Sequence, residues 1–314
     1  MKKTIPYLLA IFFFVSCNRS KNATLKANQI FSENVPKETL FQVSGARDTT
    51  IKTKNGTILK FKNGLFKSGN GNDYEGFINL KIIELYSPSD LVFSGVSTMS
   101  KSNLLQTGGM LYIEALDSLK AKLVVSNTEY FTVMFSKNMC PNEQMDFYVG
   151  RQDTTGNVEW SLLERHKEMK SNLTMPTDSI ISEEQKLEYQ QSLDYMVFKS
   201  NELGWLNCDK QLESLNNTKV KVNSNFDADV SFRLIFPALK SVACAILEDG
   251  TYTFYNVPKN EKAILVGYSK IDNRYYFTHS EVTIEENGSL EPKLVETDKK
   301  EIEEKIKKLT WIQI

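Results

Sequence analysis

Histidine is almost missing from this chain: there are two, His166 and His279, far apart in the sequence. A hydrolytic triad would have to recruit one of them, and neither sits in a Gly-x-Ser-x-Gly or His-Glu-x-x-His setting. His166 lies among charges and His279 between Thr278 and Ser280, both settings of solvated side chains. Cysteine is scarce as well. The four cysteines form no Cys-x-x-Cys pair and no Cys/His cluster, which argues against structural zinc. Neither a metal nor a cofactor is expected. Gly108-Gly109 lacks the Lys-Ser or Lys-Thr that follows a phosphate-binding glycine loop, so it reads as a tight turn needing positive φ. Charge of one sign is missing too. With 38 Lys+Arg against 39 Asp+Glu, no electrostatic case exists for nucleic acid.

A long hydrophobic run is confined to the N-terminus. Residues 1–16 read as Met-Lys-Lys, then an apolar stretch from Ile5 to Val15 too short to span a bilayer, then Ser16. The ending Phe14-Val15-Ser16-Cys17 resembles a lipobox, with an aromatic where leucine is commoner. The resemblance implies cleavage before Cys17, diacylglycerol on its thiol and an acylated amino terminus, enough chains for stable membrane anchoring. Loss of Lys2 and Lys3 would take the formal charge from -1 to -3. Residues 17–28 then form a polar tether. The expected address is the outer membrane, lipid-anchored and facing the periplasm. With Cys17 claimed by lipid, Cys140, Cys208 and Cys244 remain, and at most one pair of them can close within the chain.

The rest reads as mainly β: two β-sandwich domains joined by a short helical linker, with an amphipathic helix at the C-terminus. In residues 29–162, Lys54-Asn55-Gly56 between apolar runs signals a hairpin, and Ile78, Leu80 and Ile82 share one strand face. Residues 163–194 break the pattern with a charged stretch, Pro176, and a Ser182-to-Gln185 capping box that opens a short helix. Residues 195–296 return to strands. Val230, Phe232, Leu234 and Phe236 alternate with Ser231, Arg233 and Ile235, and Ala263 to Tyr268 suits a central strand. In residues 297–314, Ile302, Ile306 and Leu309 fall on one helical face.

Two further kinds of likeness follow. Residues 75–115, with Glu75-Gly76 and Leu105-Gln106-Thr107-Gly108-Gly109-Met110, are similar to a module of uncharacterised Gram-negative envelope lipoproteins. That module is distantly like the sandwich of zonula-occludens proteins and netrin receptors. Leu203-Gly204-Trp205-Leu206-Asn207-Cys208-Asp209 resembles a signature of the same lipoproteins. Asp249-Gly250-Thr251-Tyr252 through Val257-Pro258 resembles the transthyretin-like regulatory module of carboxypeptidases. These likenesses imply a β-rich, non-enzymatic envelope protein and carry no catalytic residues with them.

The densest group of candidate ligand-binding residues is Trp205, Asn207 and Asp209. The Trp ring can stack on a sugar or peptide while the polar pair hydrogen-bonds to it. The bland alternative has Trp205 filling a core and Asn207 and Asp209 serving turn amides. The expected function is therefore a lipid-anchored envelope protein of binding or scaffolding type, partnered by an envelope protein or glycan and by the membrane through Cys17. The alternative is a carboxylate-based hydrolase acting on envelope glycans, for which a concave site with two carboxylates would be the sign.

Overall fold

Ile78, Leu80 and Ile82 are each at most 1% exposed, so the period-two pattern of the sequence does form one buried strand face. The computed structural model describes residues 30–100, 103–139, 144–153, 157–163, 194–212, 216–226 and 228–312. The expected signal peptide, the expected tether with Cys17, His166 and the expected Ser182 capping box lie outside the described residues.

The chain is mainly β and builds two sandwiches. The larger sheet of the first runs β1 (Thr39–Ser44), β5 (Phe77–Leu85), β7 (Asn103–Leu116), β13 (Gly204–Gln211), β10 (Asp146–Gln152) and β11 (Val158–Leu162). The short β6 (Met99–Ser100) also pairs with β7. Facing it is a sheet ordered β12 (Tyr195–Ser200), β9 (Phe131–Ser136), β3 (Ile58–Phe61) and β2 (Thr49–Lys52). A small ribbon pairs β4 (Phe66–Lys67) with β8 (Val124–Val125). Leu206, Cys208 and Phe147 from the larger sheet meet Leu59, Val133 and Phe198 from the smaller in a continuous core.

The second sandwich has one sheet of β17 (Ile246–Glu248), β18 (Thr251–Pro258), β14 (Asn217–Val222) and β21 (Ser289–Leu290). The other is β16 (Ser241–Cys244), β15 (Ser231–Phe236), β19 (Lys262–Ile271), β20 (Arg274–Thr283) and β22 (Val295–Glu296). Phe232, Leu234 and Phe236 pack there against Val220, Val222 and Phe254.

Turn chemistry fixes the hairpins as the sequence suggests. Gly56 takes φ 91° between β2 and β3, and Asp249-Gly250 takes φ 48° and 77° before β18. Gly108-Gly109 corrects its expected role. It is no turn but a bulge inside β7, where both glycines oppose the single residue Cys208. Gly109 has φ 134°, and a Cβ there would meet the Tyr86 ring at 2.1 Å, so glycine admits that ring.

The expected boundary also needs correction. β12 and β13 were expected to open a second domain at residue 195, yet they pair with β9, β7 and β10. The first sandwich therefore takes its last strand at Gln211, and residues 163–194 connect two strands of the same sandwich. Local alternation marks a strand but not its partner.

Two helices fill the space between the sandwiches. The first, α1 (Pro88–Ser94), starts on a capping box in which Ser87 Oγ accepts from the Asp90 amide and Asp90 accepts from the Ser87 amide. The second, α2 (Lys299–Lys307), is the expected amphipathic C-terminal helix. It buries Ile302 and Ile306 in a seam shared by both sandwiches rather than on the second alone. Each such side chain contributes about 1.5–3 kcal/mol of burial. Leu91, Val92, Tyr148 and Trp160 reach the seam from one side, Ile235, Val242, Val266 and Tyr268 from the other.

Candidate functional site

Trp205, Asn207 and Asp209 all fall on β13, so the structure brings the three sequence candidates onto one strand. Leu206 and Cys208 point into the first sandwich, and alternation sends the three candidates to the opposite, seam-facing side. Trp205 belongs to the first sandwich, contrary to its expected place in the second. Its ring lies 5.2 Å from Tyr112 and 6.4 Å, edge-on, from Trp160. Gly150 makes room for this aromatic group: a Cβ there would meet Val158, Trp205 and Trp160 at 2.5, 2.7 and 2.8 Å.

Asn207 and Asp209 have no exposed surface. Asn207 Nδ2 donates to Asp209 Oδ2 at 2.5 Å, and Thr107 Oγ1 donates to Asn207 Oδ1 at 3.4 Å. The other carboxylate oxygen, Oδ1, has no partner. Burial drives the Asp209 pKa well above the usual carboxylate range, and hydrogen bonding with Thr107, Asn207 and the Gly108 backbone offsets part of this. Burial thus favours the protonated form of this carboxyl. The seam is tied shut beside it, since the Thr107 amide donates to the Lys240 carbonyl at 3.0 Å and Ser241 Oγ to the Leu105 carbonyl at 2.6 Å. A ligand would reach Asn207 or Asp209 only if the sandwiches parted.

Open space lies elsewhere. A groove of about 920 Å³ runs between the end of α2, strands β19 and β20, and the Pro237–Leu239 turn. Its apolar lining includes Ala263, Ile264, Val282 and Leu309. Its charged lining is Lys262, Lys305 and Lys308 with Glu261 and Glu281. Lys305 pairs with Glu301 at 2.8 Å outside the groove, while Lys262 and Lys308 have no ion-pair partner among the described residues. His279 is exposed on β20 but partly desolvated by the groove walls. That desolvation, with Lys305 beside it, pulls its imidazole below the ordinary histidine pKa.

Sequence reasoning placed His279 on a strand surface, which is where it sits, but did not foresee the groove. The groove depends on α2 folding back over β20, and no local pattern encodes that docking. Cys208 is disulfide-bonded, and Cys244 is free.

No protein-family model matches the chain, and no curated protein matches it. Among the described residues, no helix is long and apolar enough to cross a membrane. Fold and site together define a class: a mainly β protein of two sandwiches docked through a shared core, with a sealed polar seam and an open, lysine-lined groove.

Proposed function

We propose that the chain is a lipid-anchored cell-envelope protein of binding or scaffolding type, and that the groove beside α2 takes its ligand. The address rests on the lipobox-like Phe14-Val15-Ser16-Cys17 and on the likeness of residues 75–115 and 203–209 to envelope lipoproteins. The binding role rests on one observation: two lysines without ion-pair partners among the described residues stand over an apolar lining in a cavity of small-molecule size. Glu301 neutralises Lys305, so Lys262 and Lys308 are the ammonium groups that the groove offers to an acidic head, on a wall that also carries Glu261 and Glu281. That combination suits an amphiphile with an apolar body and an acidic head.

Decanoate is the simplest probe of this chemistry. Calorimetric titration should show one saturable site, weakened at least fivefold by Lys308→Glu and by replacing decanoate with decanol. Absence of saturable binding, or binding indifferent to both changes, overturns the groove assignment.

A hydrolase remains the second reading because Glu261 and Glu281 line the same groove. It requires turnover of envelope glycan fragments that Glu281→Gln abolishes. Binding of such fragments without turnover counts against it.

A further inference from the structure

A second cavity, of about 730 Å³, opens among the loops at one end of the second sandwich. Its walls are the chain leaving β14 (222–226), the turn into β18 (250–252) and the link from β21 to β22 (291–294). These walls are tied to the sandwich. The Asn223 amide donates to the Leu290 carbonyl at 2.8 Å, and Tyr252 Oη accepts from the Val230 amide at 2.8 Å. Phe226 packs on Tyr276, with ring centroids 4.8 Å apart.

Asparagine and serine in a loop ordinarily spend their side chains on nearby backbone groups. In Asn223-Ser224-Asn225 none of the three side chains makes a hydrogen bond among the described residues, and Ser224 Oγ is buried besides. Both asparagines are exposed residues of the cavity lining, so each offers an amide donor and acceptor to whatever enters. Glu291 and Lys293 are the only charged residues of the lining, one of each sign, so it favours neither an acid nor a base. Half-buried Phe226 adds an aromatic wall. Uncommitted amides beside an aromatic ring suit the hydroxyl groups and C–H faces of a sugar. We propose that this cavity binds a neutral oligosaccharide, with its hydroxyls bonded to Asn223 and Asn225 and a sugar face set against Phe226. The site shares no residue with the groove beside α2 and does not depend on what binds there.

The labelled protein in detergent should bind neutral oligosaccharides on an array that also carries sialylated and sulfated ones. Titration with the best-bound neutral oligosaccharide should give a Kd that Asn223→Ala combined with Asn225→Ala raises about tenfold or more. Phe226→Ala should raise it similarly, and Lys308→Glu, in the groove, should leave it unchanged. Neither asparagine has a left-handed backbone and both are exposed, so the double variant should melt with the parent. An array with no neutral oligosaccharide bound, or with acidic ones preferred, overturns the proposal. So does a Kd indifferent to the asparagine substitutions, or one raised by Lys308→Glu, which would put the sugar in the groove. The double asparagine variant decides the matter even if Phe226→Ala fails to fold.

Discussion

Thr98 and Val242, 144 residues apart in the sequence, exchange three hydrogen bonds across the seam. The Thr98 amide and hydroxyl both donate to the Val242 carbonyl, at 2.9 and 3.3 Å, and the Val242 amide donates to Thr98 Oγ1 at 3.0 Å. Both residues are fully buried. Thr98→Val keeps the shape of the side chain but orphans the Val242 amide, at a cost of about 1–3 kcal/mol. Urea unfolding followed by both fluorescence and circular dichroism should show this loss within one shared transition. Two separated transitions in the parent protein would contradict a common core.

Residues 164–193 lie between β11 and β12, and both strands belong to the first sandwich. A protease site engineered within 166–181 should therefore give two fragments on a denaturing gel that co-elute as one species under native conditions. Fragments that separate without denaturant would restore the domain boundary expected from sequence.

Asp209 makes stability depend on pH with a definite sign. Its folded-state pKa is raised, so above the ordinary carboxyl pKa near 3.8 the folded state binds more protons than the unfolded one. The stabilisation is complete below that value and is lost as pH rises towards the folded-state pKa. Asp209→Asn removes this titration while keeping size and hydrogen-bonding groups. The variant should gain melting temperature over the parent at pH 8 and show less advantage at pH 4. An advantage of equal size at both values would mean that Asp209 is charged in the fold.

Much of the strand content was legible because one-sided burial leaves a period of two, as at Ile78, Leu80 and Ile82. The Asn55-Gly56 hairpin was legible because few residues adopt its left-handed backbone. Partners were not legible. β13 looks locally like a strand of either sandwich, and only the register with Tyr112 and Tyr148 decides between them. Arg233 alternates in sequence with Phe232 and Leu234, yet every residue of β15 is buried because α1 and the first sandwich cover its outer face. Ile235, apolar in the supposedly polar register, was the available hint. The signal for α1 was also present, in Ser87-Pro88-Ser89-Asp90, and the surrounding strand pattern hid it.

The cysteines bear on the proposed lipid anchor. Cys208 is in a disulfide and Cys244 is free, which leaves Cys17 or Cys140 as the partner of Cys208. If lipid occupies Cys17, non-reducing peptide mapping should recover Cys140 linked to Cys208. A peptide joining Cys17 to Cys208 would exclude lipid on that thiol.

Lipid on Cys17 is tested most directly by the mass of the mature N-terminus. Protein purified from cell envelopes should begin at Cys17, carry a diacylglyceryl thioether and an N-linked acyl chain, and partition into detergent. Cys17→Ala should abolish both the added mass and the partitioning. An N-terminus at Met1, or a mature chain with an unmodified Cys17 in the soluble fraction, would contradict the lipid-anchored assignment.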